Sequence, residues 1–136
     1  MTGLRYEDVF EGDELPTHEF VLEKDAVRAY ARTTNMYFAR FTDDEGAKRE
    51  GLPGMITPGN MSMGLLGTFV ERWSGAGTLR RLGTTFRGLV LPGRTIRLCG
   101  AVTQKDDGTR TVEIDVWLEN DDGERCVIGT ATVGLA

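Results

Sequence analysis

From Leu82 to Val133, apolar residues recur at every second position, and turn signals interrupt them at regular intervals. Leu82, Thr84 and Phe86 alternate with polar neighbours before Pro92-Gly93 turns the chain. Ile96, Leu98, Gly100 and Val102 share one face of a second run that ends at Asp106-Asp107-Gly108. Val112, Ile114, Val116 and Leu118 mark a third; after Asp121-Asp122-Gly123, Val127, Gly129, Ala131 and Val133 mark a fourth. Successive side chains of a strand point to opposite faces, so each run has one apolar face to bury. Asp-Gly pairs between such runs are strong hairpin signals, because glycine enters the left-handed conformations that tight turns require. The spacing predicts an antiparallel meander with one apolar face in need of a cover.

The first half supplies that cover. A strand is predicted around Thr17 to Leu22, after which Ala26, Val27, Tyr30 and Ala31 switch to helical spacing. Asp43 or Asp44 can cap a short helix that Gly51 ends, since a carboxylate accepts free N-terminal amides and glycine tolerates the left-handed stop. Pro58-Gly59 then introduces the longest helical segment, roughly Asn60 to Trp73, whose Met61, Leu65, Leu66, Phe69, Val70 and Trp73 make it apolar enough to be wrapped by a sheet. With 136 residues, 40% of them hydrophobic, the chain is long enough for one core and is read as a single domain, 1–136.

Charge and cysteine usage narrow the function classes. A net charge of -5 and a pI of 4.9 oppose a surface built to neutralise phosphates, so nucleic acid is not an expected partner. No apolar run approaches the roughly 20 residues that span a bilayer, and the segment Met1 to Asp13 is acidic, so no membrane partner is expected and a cytoplasmic location is. Cys99 and Cys126 have no CxxC spacing and the single histidine makes no cluster; buried free thiols are expected, with no metal site. Arg80, Arg81, Arg87, Arg94 and Arg97 fall within eighteen residues, which fits either solvated strand faces or a local patch for carrier phosphates.

A long helix enclosed by a curved antiparallel sheet of about five strands is the hot-dog arrangement, an α+β fold, and the chain resembles one hot-dog family in particular. Its opening, Tyr6-Glu7-Asp8-Val9-Phe10-Glu11-Gly12-Asp13-Glu14-Leu15-Pro16, resembles the start of MaoC-like acyl dehydratases. The run Leu79 to Arg87 followed by Val90-Leu91-Pro92-Gly93 resembles the segment after their central helix, and Asn120 to Glu124 with Gly129 to Val133 resembles their ending. The resemblance implies an enoyl-CoA hydratase scaffold that takes acyl-CoA and needs no cofactor beyond the coenzyme A of its substrate. Within the arginine cluster, Arg80, Arg81 and Arg87 are the candidates for coenzyme A phosphates, if the cluster is such a patch and not solvated strand faces.

The family's catalytic segment reads approximately Gly-Asp-x-Asn-Pro-x-His-x-Asp, with His-Gly later at the start of the central helix. Aligning Asp43, Ala47, Gly51 and Gly59 without gaps puts Asn35 at the glycine, Met36 at the catalytic aspartate, Phe38 at the asparagine and Ala39 at the proline. Phe41 replaces the catalytic histidine and Pro58 the second histidine. Neither a thioether nor a phenyl ring transfers protons at neutral pH, and general acid–base help is worth about 10²–10⁴-fold. The sole histidine, His18, is expected to be an ordinary strand residue outside this loop. Gly59 keeps the position whose amide, at a helix N-terminus, polarises the thioester carbonyl in the family. A plain helix-start turn fits Pro58-Gly59 equally well.

The resemblance therefore implies a degenerate, non-catalytic unit that completes a heterodimer or heterotetramer whose MaoC-like partner supplies aspartate and histidine. Its substrate contacts would be Gly59, Asn60 and Thr57 with an apolar wall of Met36, Phe38, Phe41 and Met55. Met61 and Met63 add adaptable apolar volume, and Ser62, Gly64 and Gly67 keep the helix thin. That combination fits close packing of helix on sheet, or a pocket widened for a bulky acyl group. Two other classes stay open: a stand-alone hot-dog thioesterase using Asp43, Asp44 or Glu45, and a non-enzymatic acyl-CoA binding module.

Overall fold

A computed structural model describes residues 3–136; Met1 and Thr2, the start of the acidic N-terminal segment, lie outside the described residues. The elements follow the expected order. A 3-10 turn at Tyr6–Asp8 precedes strand β1 (His18–Leu22), helices α1 (Lys24–Thr33), α2 (Ala39–Thr42), α3 (Asp44–Arg49) and α4 (Gly59–Ser74). Strands β2 (Thr78–Phe86), β3 (Arg94–Asp106), β4 (Thr111–Glu119) and β5 (Arg125–Gly134) complete the chain. The five strands form one sheet in the order β1-β3-β4-β5-β2, every neighbouring pair antiparallel. This is the hot-dog fold: one long helix against an antiparallel sheet.

Alternation fixes which face meets the helix. Val112, Ile114, Val116 and Leu118 of β4 are all at most 1% exposed, and they join Leu66, Phe69 and Val70 of α4 in one buried cluster. Ile96, Leu98 and Val102 of β3 and Val127, Ala131 and Val133 of β5 belong to the same cluster. The phase slips once in β3, between Val102 and Gln104, where a bulge lets Thr103 donate to the Glu113 carbonyl. The opening segment is clamped onto that strand: Gly12 N–H donates to the Val102 carbonyl and Leu15 N–H to that of Gly100. Both cysteines are free and buried, and burial pushes both thiols up in pKa, so they are packing residues rather than nucleophiles.

Two local features differ from the simple sequence pattern. The β3–β4 connection is not a two-residue turn with glycine at its left-handed position. Instead the Asp106 carboxylate accepts from the amides of Gly108 and Thr109, and the left-handed residue is Arg110, at φ 53°. Arg110 is held there by Glu7, at 2.6 Å, and by the Tyr6 ring beneath its guanidinium. Tyr6 in turn donates to Asp107, whose carboxylate holds the phenol proton and pushes its pKa up to about 12. The second departure is Phe86, predicted on the inward face with Leu82. It is 52% exposed, because β2 ends there and the ring lies over the start of α4.

Candidate functional site

The segment between α1 and α4 forms an overhang beside the N-terminus of the central helix. Its tight start is made by Asn35, which has φ 58°. Glycine favours that left-handed region and asparagine is among the few other residues that enter it readily; the geometry fits a glycine position of the family. Met36 follows, its N–H donating to the Ala31 carbonyl at 2.7 Å, and its sulfur accepts from the Asn60 amide at 3.7 Å. The position aligned with the catalytic aspartate thus sits against the first turn of α4.

Polar ties hold the rest of the overhang in place. Asp43 caps α3 by accepting from Gly46 N–H at 3.0 Å. The Asp44 carboxylate accepts from Lys24 Nζ at 2.8 Å and from Met55 N–H at 3.0 Å, and the lysine ammonium, then the amide, hold its carboxyl below the ordinary range. Ile56 N–H reaches the Arg40 carbonyl at 2.7 Å and Thr57 N–H that of Val90 at 2.8 Å. Glu45 lies 3.5 Å from Lys48. Each carboxylate considered for a thioesterase already has a partner within the fold.

At the start of α4, Pro58 takes the cap position without forming a side-chain cap bond. Two buried hydroxyls flank this turn: Thr57 Oγ1 and Ser62 Oγ find no hydrogen-bond partner among the described residues. A buried hydroxyl without a partner is costly, so such atoms mark places where a ligand or water completes the structure. Over Gly59 lies the Phe86 ring; a β-carbon there would come within 2.9 Å of it. The end of α4 is therefore lidded by a half-exposed aromatic ring.

The residues singled out by sequence fall in three environments. Met36, Thr57, Gly59 and Asn60 gather around the first turn of α4. Met55 is 1% exposed, inside the core cluster. Exposed Phe38 and half-buried Phe41, their rings 6.4 Å apart, line a cavity of about 460 Å³ with Ala39, Arg40 and Glu50. The charged groups in that cavity wall are Arg40 and Glu50, paired at 2.7 Å. The arginine cluster also divides: Arg94 pairs with Asp121 and Asp122, and Arg97 with Glu19 and Glu119. Among the described residues Arg80, Arg81 and Arg87 form no ion pair.

A larger cavity, about 610 Å³, lies elsewhere, between β1 and the later turns of α4, and His18 is part of its wall. Sequence reasoning placed His18 on a strand but did not connect it with a pocket. The signal was present: His18, Phe20 and Leu22 alternate, so they share the inward face. No helix among the described residues is long and apolar enough to cross a membrane.

Comparison with known proteins agrees with this architecture. One chain of the ChsH1-ChsH2 complex from Mycobacterium tuberculosis superposes with TM-score 0.85 at 19% identity, over 93% of this chain and 98% of that one. The (R)-hydratase from A. caviae involved in PHA biosynthesis gives 0.89 at 15% identity, over 96% and 99%. A MaoC-like dehydratase gives 0.90 at 28% identity over 98% of this chain, which spans only 43% of that longer one. No curated protein matches the chain significantly. Residues 8–122 match the MaoC like domain, a span that holds β1 to β4 and all four α-helices and ends before β5, and the chain belongs to that family.

Proposed function

We propose that this chain is the non-catalytic subunit of a heteromeric MaoC-like enoyl-CoA hydratase, shaping the acyl-CoA pocket while a partner chain supplies the aspartate–histidine dyad. The observation that carries this reading is chemical: the scaffold is intact, yet Met36 and Phe41 stand where the family has its acid and base. Hydration of an enoyl thioester needs a base to activate water and an acid to protonate carbon. The wall around the first turn of α4 offers neither.

Three further features support a partner. β2 closes one end of the sheet order, so its outer edge has backbone groups free to pair with another strand. Arg80, Arg81 and Arg87 lie on or just after that edge strand without carboxylate partners, which suits the phosphates of coenzyme A. The ChsH1-ChsH2 relative was solved as a complex, and the longer MaoC-like relative has room for a second unit of this size. No cofactor is required by this chemistry beyond the coenzyme A of the substrate.

Coexpression with an intact MaoC-like chain tests it. A heterodimer or heterotetramer that hydrates enoyl-CoA, and loses turnover when the partner's histidine is replaced, is the expected result. Replacing Gly59 with a bulky residue in that complex should weaken substrate binding more than turnover. A monomer by light scattering that ignores every such partner, or robust hydration by the purified chain alone, sinks the reading.

A further inference from the structure

The 610 Å³ cavity between β1 and α4 does not belong to the region where the family keeps its dyad. Its helix residues begin with Leu65, six positions beyond Gly59, which at 1.5 Å per residue is about 9 Å further along the helix. Its volume falls within the ~300–1,000 Å³ typical of small-molecule sites. Phe20, Leu65, Phe69, Trp73 and Leu98 make its walls apolar. Such a wall close to the core, left open on a helix flank, has apolar surface that water covers at a cost.

The polar groups are few and of one kind. Arg72 lines the cavity and forms no ion pair among the described residues, although the chain carries a net charge of -5 and most of its arginines find carboxylates. Thr17, Thr68 and His18 add hydroxyl and imidazole donors, and no acidic side chain lines the cavity. An apolar chamber whose only charge is a guanidinium is complementary to a molecule with an apolar body and one anionic oxygen pair, which the planar guanidinium binds in bidentate fashion.

We propose that this cavity is a binding site for an apolar monocarboxylate, such as a medium-chain fatty acid, whose tail occupies the Phe20–Leu65–Trp73 chamber and whose carboxylate pairs with Arg72. The site is separate from the acyl-CoA pocket proposed above and is complete within one chain.

Decanoate is the probe, titrated into the full chain by calorimetry and by fluorescence in a Trp117→Phe background, which leaves Trp73 as the sole tryptophan. Saturable one-to-one binding with a change in Trp73 emission is expected, with 1-decanol at least about tenfold weaker, since charged hydrogen bonds exceed neutral ones. Arg72→Gln, at an exposed position, should weaken decanoate about tenfold and leave decanol unaltered. Thr68→Phe, which fills the cavity from its exposed rim, should abolish both; matched melting curves show that each variant is folded. Decanoyl-CoA, which lacks a free carboxylate, should not displace decanoate. Absent binding, equal affinity for decanol, indifference to both substitutions, or displacement by decanoyl-CoA each overturns the proposal. Because the assay needs neither partner nor turnover, the heteromer reading can fail or stand independently.

Discussion

The sheet and the overhang that leads into α4 are built by different means. β4 turns Val112, Ile114, Val116 and Leu118 onto the helix with almost no exposure, and its neighbours β3 and β5 do likewise. Burial of that kind is cooperative, and it tolerates little change at any one position. The overhang keeps Phe38 59% exposed and Tyr37 52% exposed, and depends on individual polar ties: the Asp43 cap, the Asp44–Lys24 pair, and single amides reaching the Arg40 and Val90 carbonyls. The overhang adds Ala47 and Met55 to the core, while the rest of it rests on those polar ties. Exposed side chains there, Phe38 and Tyr37 among them, carry less of the packing than those of β4.

The contrast is broken most directly by cavity formation. Ile114→Ala in β4 should cost about 2–5 kcal/mol, because a fully buried β-branched side chain leaves a void that the rigid sheet cannot close. Phe38→Ala in the overhang should stay within about 0.5 kcal/mol, as expected of an exposed surface position. Urea denaturation of both variants measures the gap; equal losses would mean that the overhang is as integral to the core as the sheet.

Between these extremes lies the junction where the two regions touch. Gly59→Val should cost about 1–3 kcal/mol by forcing its side chain into the Phe86 ring, which leaves only 2.9 Å for a β-carbon. Phe86→Ala in the same chain should recover most of that loss, since the ring is half-exposed and its removal opens space. A double-mutant cycle measures the coupling; additive losses would show that something other than the ring limits position 59.

The polar ties give a smaller effect with a distinct pH signature. Asp44→Asn should cost about 1 kcal/mol, discounted because the pair with Lys24 is partly exposed. The folded-state pKa of Asp44 is held below its ordinary value by Lys24. The stabilisation is therefore fully present above the ordinary carboxylate range, near about pH 4, and fades as pH falls through the depressed folded value. Denaturation midpoints of the wild type and Asp44→Asn should converge towards acid. A difference that persists at low pH would assign the effect to packing.

How much of this was legible depended on whether the cause was local. The four apolar positions of β4 and the extent of α4, expected at Asn60 to Trp73 and found at Gly59–Ser74, follow from periodicity over many residues. The four-residue α2 is too short to show a period, and the lid over Gly59 comes from Phe86, remote in sequence and brought near by the fold. Likewise Arg94 and Arg97 are neutralised by Asp121, Asp122, Glu19 and Glu119 across strand and loop pairings, so the cluster of five arginines could not be divided before the strand register was known. His18 was legible by alternation as inward-facing, but the emptiness beside it was not, since a cavity is the absence of side chains that other elements fail to supply.

The smallest effect expected is no effect at all, and it sharpens the comparison from the overhang's side. Met36→Asp with Phe41→His restores both proton-handling types at the aligned positions, and if side-chain identity alone separated this unit from an active one, hydration should appear. Three features of the structure argue that it will not. The sulfur of Met36 is held by Asn60, so an aspartate there would meet an amide donor that lowers its basicity. Phe41, half-buried, lies 6.4 Å from the Phe38 ring in the wall of a cavity that Met36 does not line, so a histidine there would not face an aspartate at position 36. The Phe86 ring still occupies space beside Gly59, where a β-carbon would come within 2.9 Å of it. Proton transfer works only when acid and base are within hydrogen-bond reach of the reacting atoms, and a misplacement of about 1 Å can cost 10²-fold. An enoyl-CoA hydratase assay on the folded double variant, without any partner, should remain at background. Substantial turnover would show that the overhang already holds a productive geometry and that only two side chains were lost.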